Sequence, residues 1–143
     1  MRLALTCFAA CAALLATPAA AGDANAIDGV YTGAYICAQG PTFLELTVDS
    51  DHDGGVKAVF RFASGEWDGG QNLTVPPGKF AMRGRFQYGG KMALFGDYWI
   101  QQPPDYGMVN LDGVIEQRTD GKLVYYGRVT GAPSCSEFHV IRR

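Results

Sequence analysis

The chain has 143 residues, with 12 basic and 14 acidic side chains and a formal net charge of −2 at pH 7. A charge this close to zero, without a run of basic residues, excludes a typical nucleic-acid surface and a polybasic membrane patch. The length fits a single domain, and the 19 glycines are about twice the usual frequency.

The chain begins with a predicted signal peptide. Arg2 precedes a nearly uncharged run of Leu and Ala, and Ala19 and Ala21 form an Ala-x-Ala cleavage site. The apolar run is too short to span a bilayer. We therefore expect residues 1–21 to be removed and residues 22–143 to form one exported domain, either periplasmic or secreted.

Export would place the remaining cysteines in an oxidising compartment. Cys7 and Cys11 leave with the signal peptide, so the mature chain holds only Cys37 and Cys135. Two cysteines allow one intramolecular pairing, and the chain has no Cys-x-x-Cys motif for redox or metal chemistry. We predict a Cys37–Cys135 disulfide that stabilises the fold by closing a long loop.

Apolar and polar residues alternate with a period of two along the rest of the chain, with no helical stripe. Turn signals such as Asp53-Gly54-Gly55 and Pro76-Pro77-Gly78 separate the alternating segments. About eight short strands at this spacing predict an all-β fold, either a small antiparallel barrel or a sandwich. In chain order the predicted strands are Val30 to Ala38, Leu44 to Val48, Val56 to Phe62, Phe80 to Phe86, Met92 to Phe95, Val109 to Ile115, Leu123 to Val129 and Phe138 to Val140.

The two cysteines favour the barrel. Cys37 lies late in the first predicted strand and Cys135 lies at the start of the last, so the strands must be antiparallel neighbours. In an up-and-down meander this requires an even number of strands and a closed sheet. Cys135 shares a strand face with Glu137 and His139, which predicts a disulfide on the outer wall or the rim.

Three glycines stand where the alternation requires an inward apolar side chain: Gly84, Gly113 and Gly127. Glycine at such positions permits a sharp bend of the barrel wall. The alternative is a cleared cavity for a small hydrophobic ligand, as in eight-stranded carrier barrels. No inward polar group is found to orient such a ligand, so curvature is favoured and a carrier is the alternative.

An acidic loop follows the second predicted strand. Asp49, Asp51 and Asp53, followed by Gly54, have the carboxylate spacing of the first half of a calcium loop. Phe60 stands where an EF-hand needs a bidentate Glu, and no flanking helices are expected. Asp and Gly are also common in hairpin turns, so a solvated turn is favoured over a weak Ca²⁺ site. No other cofactor is expected.

Aromatic residues in predicted loops form a second candidate site. Trp67 lies in a Gly-rich segment, and Trp99 and Tyr106 flank a segment that contains Asp105. Flat aromatic rings beside amides and carboxylates suit a sugar face or a protein partner. The leading hypothesis is a binding module for an envelope protein or glycan, which uses Trp67, Trp99, Asp105 and Tyr106. The alternative is that Trp99 caps the open end of the barrel.

The sequence lacks recognisable catalytic motifs. His52 lies in the acidic loop and His139 on an outward strand face, and neither a nucleophile elbow nor a zinc-ligand spacing is found. We therefore expect a protein that works by binding and is not an enzyme.

The segment Gly29 to Gly40, followed by Leu44-Glu45-Leu46, resembles the opening of an uncharacterised bacterial secreted domain. The similarity extends through Gln102-Pro103-Pro104-Asp105-Tyr106 to Cys135 and Phe138. This resemblance implies a fold and no particular chemistry.

The Tyr35-Ile36-Cys37 strand of a small disulfide-closed barrel is also similar to periplasmic inhibitors of c-type lysozyme. Those inhibitors carry a Ser-Gly-x-x-Tyr loop that plugs the cleft of the enzyme. Here Ser64-Gly65 is followed by Glu66-Trp67-Asp68, without the tyrosine. This second resemblance implies a lysozyme-inhibitor-like role as a further alternative.

Overall fold

The computed structural model describes residues 24–64 and 75–143. The predicted signal peptide and the segment 65–74, which contains Trp67, lie outside the described residues. No helix in the described residues is long and apolar enough to cross a membrane. A short 3-10 helix (Ala24–Ile27) precedes eight strands: β1 (Gly29–Cys37), β2 (Gly40–Ser50), β3 (Gly55–Ala63), β4 (Gly78–Phe86), β5 (Lys91–Gln101), β6 (Asn110–Gln117), β7 (Leu123–Thr130) and β8 (Glu137–Arg142).

The eight strands form one closed antiparallel barrel, in which each strand pairs with the next in sequence and β8 pairs with β1. Short turns make this meander possible, as between β4 and β5, where Gly89 and Gly90 adopt positive φ angles of 83° and 80°. The closing pair runs from Tyr31 opposite Arg142 to Tyr35 opposite Phe138. The predicted eight-stranded antiparallel barrel closed by one disulfide is thus confirmed.

Inward side chains of the period-two pattern fill the barrel. Phe60 stacks on Phe80 with ring centroids 4.7 Å apart, and Tyr125 meets Phe138 edge to face at 4.6 Å. Burying one large apolar side chain contributes about 1.5–3 kcal/mol, so this packed interior is the main source of stability. The largest fully buried side chains are Tyr31, Tyr125, Phe60, Phe62, Phe80, Leu44, Leu46, Met82, Met92, Leu94, Leu111 and Val140.

The inward glycines lie where neighbouring strands approach each other closely. A Cβ on Gly84, Gly113 or Gly127 would overlap a backbone carbonyl oxygen of the adjacent strand. Gly33 in β1 has the same relation to the carbonyl oxygen of His139, and the sequence pattern did not identify it. These contacts support the curvature interpretation, because the missing side chains leave room for a neighbouring backbone.

The Cys37–Cys135 disulfide lies at the rim of the barrel, beside the β1–β8 closure. Both cysteines are half-buried and pack against the core, which agrees with the predicted position at the outer wall or rim. Cys135 precedes the first residue of β8, so the alternation of faces that puts Glu137 and His139 on one side of the strand does not apply to it. The bridge thus joins the first and last strands at one end of their pairing.

Three tyrosines project into the interior and keep their hydroxyl groups protonated. The hydroxyl of Tyr31 donates to the carbonyl of Ile27 at 2.6 Å, and that of Tyr125 donates to the carbonyl of Met92 at 3.0 Å. Burial raises the pKa of Tyr31 to about 12 and raises the pKa of Tyr35 and Tyr125 further. Burial is the cause because it removes water from the charged phenolate.

These raised pKa values predict a loss of stability in alkali. The unfolded tyrosines ionise near pH 10, whereas the folded ones stay protonated, so stability is complete below pH 10 and falls as pH rises toward the folded pKa. Each buried tyrosine should lower the free energy of unfolding by about 1.4 kcal/mol per pH unit in that window. Urea unfolding at several pH values between about 9 and 11 measures the slope.

Two variants test whether buried tyrosines cause the fall in the free energy of unfolding with pH. Tyr31→Phe should make the slope shallower, whereas Tyr88→Phe, at a ring that is 98% exposed in the β4–β5 turn, should leave it unchanged. A free energy of unfolding that stays constant through pH 11 would contradict the assignment to buried tyrosines.

Candidate functional site

Strand β5 carries two residues more than the part of β4 that pairs with it. Asp97 has no partner in β4, because its neighbours Gly96 and Tyr98 pair with residues that are consecutive in β4. Ile100 is unpaired in the same way, between Trp99 and Gln101. Each register shift is a β-bulge, which adds a side chain on one strand without adding one opposite. The bulges therefore crowd side chains along the second half of β5.

The bulges place two adjacent aromatic residues on opposite sides of the barrel wall. Tyr98 pairs with Ala81 and lies on the outer face, where its side chain is 60% exposed. Trp99 pairs with Phe80 and contacts its ring edge to face at 5.1 Å inside the barrel. Trp99 lies within β5, so the prediction that it belongs to a loop is wrong.

The outer face of β5 presents an apolar stripe made of Phe95, Tyr98 and Ile100. Phe95 is 57% exposed and Ile100 is 48% exposed. Three large exposed apolar side chains along one strand differ from the scattered exposed hydrophobics that any soluble protein carries. We call this surface the β5 stripe.

A shallow recess of about 460 Å³ adjoins the β5 stripe. Thr47, Val59, Ala81 and Tyr98 form one register row across β2, β3, β4 and β5, and they line the recess. Ala81 is short and buried, so the floor is lower than the ring of Tyr98 beside it. Four charged side chains also line the recess: Asp49, Lys57, Arg83 and Asp97.

One ion pair fixes the bulge residue at the centre of this surface. Nε and Nη2 of Arg83 approach the two carboxylate oxygens of Asp97 at 2.8 and 3.0 Å. Arg83 is the register partner of Phe95, so the pair lies between Phe95 and Tyr98. An exposed ion pair contributes less than about 1 kcal/mol, so its main effect is to position the Asp97 side chain against β4.

The barrel mouth holds the other described aromatic residues of the predicted site. Trp99 and Tyr106 both contact Phe62, with ring centroids 6.3 and 5.4 Å away, so the structure brings these two together. Both are half-buried and pack against the core, the position expected of a cap on the open end. Asp105 is exposed beside them, with a φ of 66°, and Trp67 lies outside the described residues.

The acidic loop is a hairpin turn between β2 and β3. Oδ1 of Asp51 accepts hydrogen bonds from the backbone nitrogens of Asp53 at 2.9 Å and Gly55 at 2.8 Å. Asp49 lies in β2, opposite Lys57 of β3. In the part of the chain that the structure describes, no group of three or more His, Cys, Asp or Glu side chains is placed to hold a metal ion.

A larger open groove, of about 1050 Å³, runs along the outside of β1 and β8. Ala34 and the larger Ile36 and Ile141 are among the residues that line it, and Tyr126, also in the lining, is 36% exposed. At one end Glu45 bonds Arg61 and Arg143, each at 3.1 Å, and the hydrogen bond from Arg61 lowers the pKa of that carboxyl. No other large apolar side chain that lines the groove is as exposed as Tyr126, whereas Phe95, Tyr98 and Ile100 are each 48–60% exposed, so the β5 stripe offers a partner the more accessible apolar side chains.

The β5 stripe was not identified from the sequence, although one signal was present. From Leu94 to Ile100 the large apolar residues occupy both parities of the strand. A barrel strand needs apolar residues on its inward face only, so apolar residues on both faces indicate a surface with a second purpose. This signal would have added Phe95 and Ile100 to the site residues predicted from the sequence.

Comparison of the chain with protein families, with curated proteins and with solved structures finds no match.

Proposed function

We propose that this chain is an exported binding module, which holds a partner protein on the β5 stripe. The exposed run of Phe95, Tyr98 and Ile100 beside its recess is the observation that carries the proposal. Aromatic and large aliphatic side chains at the centre of a surface supply most of the binding free energy in protein interfaces. A protein partner is favoured over a glycan because Asp97, the polar group beside Tyr98, is already bonded to Arg83.

Export is part of this proposal. The Cys37–Cys135 disulfide is compatible with an oxidising compartment outside the cytoplasm, as the predicted signal peptide requires. The loop it closes is long, and long closed loops bring the largest gain in the chain-entropy account. The module would then fold and act after it reaches the envelope.

The filled interior supports a binding surface over a carrier barrel. Phe60, Phe62, Phe80 and Tyr125 occupy the centre, each with less than 2% of its surface exposed. The space beside Gly113 is taken by the Phe138 ring, which a Cβ on that glycine would approach to 3.0 Å. A small apolar ligand would have to displace these side chains to enter.

Site-specific photo-crosslinking tests the proposal. A benzoylphenylalanine residue placed at Tyr98 should give a discrete adduct in envelope extract of the native host, whereas the same probe at the exposed Thr130 of β7 should not. The protein in the adduct is then identified by mass spectrometry, purified, and titrated against the unlabelled domain. If both positions gave the same adducts, the β5 stripe would have no special role.

A triple variant measures what the stripe contributes. Phe95→Ser/Tyr98→Ser/Ile100→Ser should weaken binding of the purified partner at least about 100-fold, because central aromatic residues each contribute about 2 kcal/mol or more. Tyr88→Ser is the matched control, since it removes a fully exposed aromatic ring from the β4–β5 turn. Circular dichroism should show both variants folded. Equal affinities for the triple variant and the control would contradict the proposal.

A further inference from the structure

The seam between β5 and β6 is closed along only part of β5. The two strands pair over Lys91–Leu94, and one further hydrogen bond follows, from the amide of Gly96 to the side chain of Asn110 at 3.0 Å. Beyond it, over Asp97–Gln101, β4 is the only strand of the described residues that pairs with β5. We call the side of Asp97–Gln101 that faces away from β4 the open edge.

The chain that leaves β5 does not cover the open edge with a strand. Segment 102–109 forms none, and within the described part of the chain no backbone hydrogen bond joins it to Asp97–Gln101. Its Tyr106 turns to the barrel mouth instead, and its Met108 lies beside Gly96. A strand presents backbone N–H and C=O groups on both of its sides, so those on the open edge can bond a further strand.

Proline and free charge, two common protections of a strand edge, are absent from the open edge. Asp97–Gln101 contains neither proline nor lysine. Its one charged side chain, that of Asp97, is bonded to Arg83 and is thereby held on the β4 side of the strand. Pro103 and Pro104 follow only after β5 has ended. The open edge is therefore available for pairing.

The side chains of the open edge face outward and inward in an order that is the same in both directions. Trp99, at the centre, points into the barrel, where it pairs with Phe80. The two residues before it and the two after it lie on the outer face: Asp97, Tyr98, Ile100 and Gln101. The last of these is opposite Lys79, which precedes the inward Phe80 in β4. The two bulges cause this symmetry, because each adds one outward residue, one on either side of Trp99.

We propose that the open edge binds the open edge of a second copy, so that two barrels pair through antiparallel β5 strands. With the two-fold axis at Trp99, Tyr98 lies opposite Ile100 of the second copy, and Asp97 lies opposite Gln101. An aromatic side chain opposite a β-branched one is a favourable cross-strand pair. A shift by one residue would set the outward Tyr98 opposite the inward Trp99, so the register is defined. The inference goes beyond the proposed function and does not depend on it.

Pairing of the open edges enlarges the surface on which the proposed function rests. The second copy lies on the side of β5 away from β4, whereas the recess lies on the β4 side. Phe95 precedes the paired residues and stays exposed. The two β5 stripes form one outer surface across the two-fold axis, and a partner with two matching sites binds it by avidity.

Sedimentation equilibrium of the domain, purified after export with its disulfide intact, measures the dimer. The interface is small, so the Kd should be about micromolar or weaker. Ile100→Lys places a lysine on the open edge and removes two symmetry-related cross-strand pairs, so it should raise the Kd at least about fivefold. Tyr88→Lys makes the same change of charge at the fully exposed ring of the β4–β5 turn and should change the Kd less than about twofold. A domain that stays monomeric up to about 1 mM would overturn the inference, as would equal effects of the two variants.

Cysteine pairs test the register. Residues directly opposite each other in an antiparallel pair have Cα atoms about 4.5–5.5 Å apart, within reach of a disulfide. Tyr98→Cys/Ile100→Cys should therefore give a covalent dimer under mild oxidation. Tyr126→Cys/Arg128→Cys has the same spacing in β7, which pairs with a strand on both sides, and should give little dimer. Equal yields would mean that only random collision is trapped, and the proposed pairing would be wrong.

Three results separate this inference from the proposed function. If the domain stayed monomeric while Tyr98 crosslinked a different protein, the dimer would be wrong and the β5 stripe would stand. If the domain dimerised through the open edge while Tyr98 crosslinked only a second copy, the dimer would stand and the foreign partner would be wrong. If a monomeric domain bound its partner and the amides of Asp97–Gln101 then became protected from hydrogen exchange, a strand of the partner would replace the second copy.

Discussion

Alanine at Gly84 is expected to disrupt the pairing of β4 with β5 and to cost at least about 3 kcal/mol of folding free energy. A Cβ at this position would overlap the carbonyl oxygen of Ala93 and lie 3.0 Å from the Cα of Leu94. Leu94 is the register partner of Gly84, so these atoms belong to the ladder that holds the wall together. Backbone atoms in a ladder move only if hydrogen bonds break, so a rotamer change cannot relieve the clash.

Gly107→Ala is the matched control for Gly84→Ala. A Cβ on Gly107 meets nothing within 4 Å, and its φ is not in the positive region. Urea unfolding should therefore show a change within about 1 kcal/mol, in the stabilising direction if alanine only restricts the unfolded chain. If Gly84→Ala is too unstable for a folded baseline, its susceptibility to protease at low temperature gives the comparison. Equal stability of the two variants would show that the backbone around Gly84 shifts to accommodate a methyl group, and would contradict the prediction.

Removal of the disulfide is the second change expected to have a large effect. Cys37 and Cys135 are separated by 98 positions in sequence, and closing a loop of that size restricts the unfolded chain by about 4–5 kcal/mol. The double variant Cys37→Ala/Cys135→Ala should lose most of this free energy and lower Tm by more than about 10 °C. Urea denaturation and calorimetry measure the two quantities.

Chemical reduction provides the control for the disulfide variant. Dithiothreitol should bring the unmodified domain to the stability of the double variant, and should leave the variant itself unchanged. A reduced domain much more stable than the variant would mean that the loss comes from core packing, because both cysteines pack against the buried cluster. A loss below about 1 kcal/mol in both would contradict the loop-closure explanation.

The fold was accessible from the sequence because two simple constraints act together. Alternation with a period of two marks every barrel strand, since one face is buried and the other solvated. The pairing of Cys37 with Cys135 then requires the first and last strands to be neighbours, which closes the sheet. The same alternation pointed to Gly84, Gly113 and Gly127 as inward positions without a side chain, and at each of them the neighbouring backbone lies close.

The candidate site was less accessible because it depends on departures from that alternation. β5 was predicted to end at Phe95, but it continues to Gln101 through two bulges. A bulge changes the relation between sequence parity and strand face, so parity along β5 does not show that Tyr98 lies on the outer face and Trp99 on the inner one.

The bulges of β5 also have an evolutionary consequence. A side chain added at Asp97 or Ile100 has no partner in β4, so the residues before and after it keep their pairing. Insertion of a single codon at such a point adds a group to the outer surface and leaves the buried residues in place. A barrel of this kind can therefore acquire or lose a recognition surface by short in-frame insertions and deletions, with no substitution in its core.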